Sequence, residues 1–119
     1  MQRTWIALGA LAGLSTVAMT ALAAHGLDPT AARLVRSGAE MQGWHALALL
    51  ACGLWVPRGG RLADGAGAAF TAGIVLFCGS IYALGLGATR TAPAAPIGGA
   101  LLMLGWLLLG LSAVLRPGN

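Results

Sequence analysis

Most of the chemistry this sequence can offer lies in five side chains: His25, Glu40, Gln42, His45 and, further along, Tyr82. An imidazole titrates near neutrality and ligates metals, so a histidine within or beside an apolar stretch is a candidate site. His25 and His45 belong to the same end of two adjacent apolar segments, and the two rings can meet across the connection between them. Joined by Met41 or Met19, the pair would suit copper, which accepts imidazole and thioether ligands. Two histidines at one end could also ligate a haem iron axially, but no haem motif accompanies them. Glu40 is a poor partner for His45, because five residues along a helix turn the two side chains about 140° apart. The bland alternative is a hydrogen-bonded plug of His45, Gln42 and Tyr82 that fastens helix ends together.

Other chemistries find less support. Ser80, in Gly79-Ser80-Ile81-Tyr82, has no nucleophile elbow around it, and no carboxylate pair or phosphate loop specifies a reaction, so no enzyme is expected. Cys52 and Cys78 each sit inside an apolar run without CxxC spacing and read as small core residues, so no metal or other cofactor is assigned. A carrier is best served by an ionisable residue near mid-membrane. The first, third and fourth apolar segments contain no Asp or Glu, and Glu40 sits at the mouth of the second.

The elements that position these residues follow from where charge is missing. Of 119 residues, 58% are apolar and 8% charged, against about 25% charged in a typical soluble domain. The seven basic residues, all arginine, are scattered between apolar blocks, which suits anionic headgroups and excludes a nucleic-acid surface. Segments 5–24, 39–56, 65–86 and 95–115 are long enough to span a bilayer core, which needs roughly 20 helical residues. Lipid leaves no partner for unpaired amides and no segment alternates like a barrel strand, so the prediction is an all-α, single-domain integral membrane four-helix bundle over 1–119. Ala21-Leu22-Ala23 resembles a signal-peptide cleavage site, but 5–24 is longer than a signal core of about 7–15 residues and is read as a retained helix.

The connections are short. Asp28-Pro29 predicts a helix start that runs through Arg33 and Arg36 toward the second span, Pro57-Arg58-Gly59-Gly60 a tight hairpin, and Pro93 with Pro96 the entry to the fourth helix. Both termini then share one side with Arg3, Arg58, Arg61 and Arg116, against Arg33, Arg36 and Arg90 on the other, a small excess that places the termini in the cytoplasm. Trp5 and Trp55 fall near that interface and Trp44 near the opposite one. The charge-free stretch 41–57 puts Glu40 at the interface and His45 little more than one turn below it.

A helical wheel divides the second span: Arg33, Arg36, Glu40 and Trp44 share one face, a headgroup-level anchor, while Gln42, His45, Leu49 and Cys52 share another that faces the bundle. Gly9 with Gly13, Ala69 with Gly73 and Ala94 with Gly98 have the spacing of helix-packing residues, and Gly79 and Gly99 are counted with them. Packing within one chain is favoured over a dimer seam.

Four blocks, ALAAHGL (21–27), SGAEMQGWHALALL (37–50), LFCGSIYALGL (76–86) and PIGGALLMLGW (96–106), together resemble the small bacterial inner-membrane family catalogued as domain of unknown function 423. The resemblance covers nearly the whole chain and implies a four-helix inner-membrane protein without an assigned activity or cofactor. It places His25, Gly26, Glu40, Gln42, His45, Gly79, Ser80, Tyr82, Pro96, Gly98, Gly99, Gly105 and Trp106 at the family's motif positions. Met41 departs from the pattern, where an aromatic residue is more usual, so no role for a ring hydroxyl beside Glu40 is carried over. The expectation is a non-enzymatic structural or accessory component in the lipid bilayer, alone, as a homo-oligomer or beside a larger membrane complex. The alternatives are a small-solute or ion carrier using the His25/His45 end, and copper-like binding at the same histidines.

Overall fold

The computed structural model of the protein describes residues 1–115; Arg116, counted above for orientation, lies outside them. Those residues are helical without strands: α1 (Gln2–His25), α2 (Pro29–Gly73), a π-helical turn (Ile74–Cys78), α3 (Gly79–Gly85) and α4 (Ala95–Val114). Three helical runs are long and apolar enough to cross a membrane: Gln2–His25, Pro29–Gly85 and Ala95–Val114. The second and third predicted spans both fall within the run Pro29–Gly85, which non-helical backbone at Gly60 divides.

That run is folded back on itself. Its 57 residues would extend roughly 85 Å if straight, at about 1.5 Å per residue, whereas the longest dimension of the molecule is 53 Å. The break is at Gly60, whose φ of 63° and ψ of −144° belong to a region that a Cβ makes costly and glycine enters freely. Pro57 lies inside the helix just before it. The result is two arms, 29–59 and 61–85. The first begins ten residues before the predicted span, because the Asp28 carboxylate accepts a hydrogen bond from the Ala31 N–H at 2.8 Å and Pro29 occupies the first turn, where its missing N–H costs nothing.

Both α1 and α4 pack on this α2 hairpin, and no extensive contact joins α1 to α4. Large apolar side chains such as Leu14, Val17, Leu54, Met103 and Val114 are at least 69% exposed. The core is instead largely small residues around Trp5, Leu49, Cys52, Phe70 and Leu102. Such a distribution suits a lipid solvent, which does not drive apolar side chains inward and leaves close packing and polar contacts to hold helices together.

Glycines provide the close approach, though not all of the predicted ones. A Cβ at Gly9 would stand 3.0 Å from the Ala46 carbonyl oxygen, one at Gly73 2.6 Å from the Leu102 side chain, and one at Gly98 would collide with the Phe77 backbone nitrogen. The Gly98 contact falls on the π-helical turn, so α4 touches α2 at its one widened turn. Gly13 and Gly79, by contrast, have nothing within 4 Å of a Cβ, and Gly99 makes only an ordinary 3.8 Å contact with Phe77. The spacing that suggested Gly13 and Gly79 reflects residue type alone; Gly9 faces Ala46 and Leu50 of α2, whereas Gly13 borders an open groove. Gly98→Ala is expected to destabilise the protein by about 1–3 kcal/mol through overpacking, whereas Gly110→Ala, at a site with nothing within 4 Å, should be neutral. Unfolding of both variants in mixed micelles with a denaturing detergent checks this; equal midpoints would contradict the packing.

Candidate functional site

Gln42 and His45 lie on the face of the first α2 arm that points into the molecule, 4% and 5% exposed. Gln42 sits between two helices. Its side-chain N–H donates to the Ala12 carbonyl of α1 at 2.8 Å, and its Oε1 accepts from the Tyr82 hydroxyl of α3 at 2.7 Å. The orientation of the amide is determined, since a backbone carbonyl accepts only and must face the NH₂ group, which leaves the oxygen for Tyr82. Tyr82 packs where a glycine permits it: a Cβ at Gly38 would come 2.8 Å from its ring.

The two nitrogens of His45 are also both in use. Trp106 of α4 donates its indole N–H to Nε2 at 3.0 Å, and Nδ1 lies 2.6 Å from the Met41 carbonyl. An indole N–H can only donate and a carbonyl can only accept, so His45 is neutral with its proton on Nδ1. Phe70 completes an aromatic cluster, with ring centroids 5.6 Å from His45 and 5.1 Å from Trp106. The imidazole therefore ties the first arm to α4, as Gln42 ties it to α1 and to the second arm.

The structure divides the predicted group of five. Gln42 and Tyr82 are bonded, and His45 is one turn further along the same buried face. His25 and Glu40 are exposed. Gln42 reaches the Ala12 carbonyl, and His25 is 13 residues beyond Ala12, or roughly 20 Å of helix, so His25 and His45 do not meet. His45 is also deeper than expected. It stands next to the midpoint of arm 29–59 and bonds Trp106 near the midpoint of Ala95–Val114, at mid-height of the helices. Depth counted from the nearest charge was misleading because α2 begins at Pro29 and Glu40 is simply an exposed residue along it. Met19 and Met41 pack into two different apolar clusters, and among the described residues no three His, Cys, Asp or Glu side chains gather.

Two further polar contacts escaped the sequence reading. Trp5 donates its indole N–H to Asp64 at 2.7 Å, its ring lying over Gly67, and Trp55 donates to Ser112 at 2.9 Å, whose hydroxyl donates to the Leu109 carbonyl. With Trp106, three of the four tryptophans thus fasten one helical segment to another. The available signal was chemical: an indole N–H withdrawn from water needs an acceptor. Trp44 is different, 66% exposed beside an open groove of about 540 Å³ between α1 and α2, which Arg36 and Glu40 also line.

Histidine ¹H–¹⁵N correlation spectra of the protein in micelles should show His45 with its proton on Nδ1; a proton on Nε2 would contradict the Trp106 contact. Replacing Gln42 by Leu and Tyr82 by Phe, singly and together, should reveal a coupling of about 0.6 kcal/mol, the average for interhelical hydrogen bonds in membranes, and no more than about 1.7 kcal/mol. Strict additivity of the two losses would rule out the bond.

Comparison with known proteins agrees with this picture of a small helical membrane protein. The DUF423 family model, described as protein of unknown function, matches residues 19–99, which hold Gln42, His45 and Tyr82 but stop short of Trp106. A UPF0382 membrane protein of Haemophilus influenzae is 37% identical over 114 residues, covering 92% of each chain. One from Staphylococcus epidermidis is 37% identical over 112 residues, covering 90% of this chain and 92% of its own. The UPF0382 inner membrane protein YgdD of Escherichia coli is 32% identical over 118 residues, covering 94% of this chain and 90% of its own. No solved structure matches. With the family model spanning most of the chain and relatives aligned nearly end to end, this protein belongs to the DUF423 family of membrane proteins.

Proposed function

We propose that the protein is a non-enzymatic structural or accessory component of the bacterial inner membrane, crossing it four times with both termini in the cytoplasm. The two arms of the α2 hairpin supply the second and third crossings. The location follows the inner-membrane relative from E. coli, and the orientation the excess of Arg3, Arg58, Arg61 and Arg116 in the sequence over Arg33, Arg36 and Arg90. The observation that carries the functional reading is the saturation of the interior: no buried side-chain nitrogen or oxygen among the described residues lacks a hydrogen-bond partner. A carrier or enzyme needs a polar group free to exchange partners with its substrate. Gln42 and His45 each have their partners already in the protein, and the ends they join are helices.

The carrier reading would have to use His45, now the ionisable side chain at mid-height, and would have to break its bond to Trp106 first. Proteoliposome flux separates the two. Vesicles holding the wild-type protein should pass protons, monovalent cations and small neutral solutes no faster than protein-free vesicles. A flux carried by the wild type and lost in His45→Ala would overturn the accessory reading.

A further inference from the structure

Gln42 uses only part of its hydrogen-bonding capacity. An amide NH₂ group carries two donors, and Nε2 of Gln42 has one acceptor, the Ala12 carbonyl. That carbonyl also accepts from the Thr16 hydroxyl at 2.9 Å, and the Gln42 oxygen is turned to Tyr82. The second N–H is thus a donor left over on a buried side chain, 4% exposed. Gln42 lines a pocket of about 230 Å³ walled by Leu8, Ala12 and Ser15 of α1 on one side and by Ile74 and Val75 of the π-helical turn on the other. This pocket shares no lining residue with the groove beside Trp44. The Ser15 hydroxyl in its wall takes no part in the hydrogen bonds that tie the helices together. Widened turns of the π type recur at functional sites.

Three properties define what fits there. The first is depth. Gln42 and Ala12 are close to the midpoints of arm 29–59 and of Gln2–His25, so the pocket is at mid-height, about 15 Å from either edge of a hydrocarbon layer. Phospholipid chains that reach this depth carry no acceptor, because their carbonyls stay at the interface. Such a chain fills the volume and leaves the N–H unpaired, the costly outcome for a buried donor. The second is polarity: the group left over is a donor in otherwise apolar walls, and its complement is an acceptor such as a carbonyl. The third is shape. At Thr71 and Val75 the pocket adjoins an apolar groove of about 570 Å³ that extends to Trp5 and Ala68. A ligand with a compact carbonyl-bearing head at Gln42 and an apolar tail directed toward Trp5 occupies both.

We infer that the pocket between α1 and the π-helical turn binds the head of a lipid-soluble quinone, one ring carbonyl accepting the second Gln42 N–H while the tail lies in the groove beside Trp5. A quinone carries its carbonyls on an apolar ring that is not anchored among the headgroups, which is what a donor at mid-height requires. The inference goes beyond the accessory reading and is compatible with it. The donor that meets the ring is one the helix contacts do not use, so binding exchanges no partner inside the protein.

Titration of the protein in micelles with decylubiquinone tests the proposal, with decylbenzene as a ligand of similar shape that has no acceptor. Quenching of tryptophan fluorescence reports the quinone, and its displacement reports decylbenzene. The wild type should bind one quinone per chain, and decylbenzene about tenfold or more weakly, for want of the hydrogen bond. Gln42→Leu should weaken the quinone about tenfold and bring the two ligands to equal affinity. Because that variant also releases Ala12 and Tyr82, Ser15→Leu is the second: it fills the pocket without removing a bond between helices, and should weaken the quinone about tenfold or more. The site would be overturned by the absence of saturable one-to-one binding, by decylbenzene binding as tightly as the quinone, or by Ser15→Leu binding like the wild type. A phospholipid retained in native mass spectra that excess quinone does not displace would also overturn it. None of these results bears on the flux measurement, so a protein that binds no quinone and conducts nothing would remove the site and leave the accessory reading standing.

Discussion

A polar group inside a bilayer must find its partner within the protein, because lipid provides none. Much of the fold answers to that constraint. His45 and Gln42 are next to the middle of the first α2 arm, so the neighbouring helices have to present acceptors and donors at that height. α1 presents the Ala12 carbonyl, α3 the Tyr82 hydroxyl and α4 the Trp106 indole. These contacts fix rotation and height together, since each requires one atom of one helix to stand about 3 Å from one atom of another.

The tryptophans extend the same logic from mid-height to the Gly60 end of the molecule. Near the Gly60 turn, Trp5 holds α1 to the second arm through Asp64, and Trp55 holds the first arm to α4 through Ser112. Each indole combines a broad apolar face, which packs, with a single N–H, which must be matched. Glycine provides the room: Gly67 lies under Trp5, Gly105 against Phe70 and Gly38 against Tyr82. Aromatic rings set on glycines are a recurring joint in this fold, hydrogen-bonded at Trp5 and Tyr82, and they replace the interlocking branched side chains of a soluble core.

This economy explains why a histidine at mid-height need not signal transport. An imidazole between a donor and an acceptor that cannot exchange roles is held in one tautomer, and its lone pair faces an indole rather than a ligand. The groove on the α1–α2 face has the opposite character. Its Arg36, Glu40 and Trp44 are exposed, while Ala39 and Ala46 beneath them are buried.

Composition and periodicity were enough to establish an all-helical membrane protein and to divide the second apolar segment into faces. Gln42, His45, Leu49 and Cys52 are buried, while Arg33, Arg36, Glu40 and Trp44 are exposed, as the wheel arranged them, because the 3.6-residue repeat is a local property that sequence records directly. Asp28 and Pro29 likewise announced the start of α2 through local backbone chemistry. Only the tertiary structure decided that His45 is deep, that His25 is far from it, that Trp106 supplies its partner, and that Gly9 is packed while Gly13 is open. Those outcomes depend on where one helix stands against another, 30 to 61 residues apart along the chain for Gln42 with Ala12 and His45 with Trp106. That placement is set by the sum of glycine contacts and hydrogen bonds across the molecule, and no short stretch of sequence contains it.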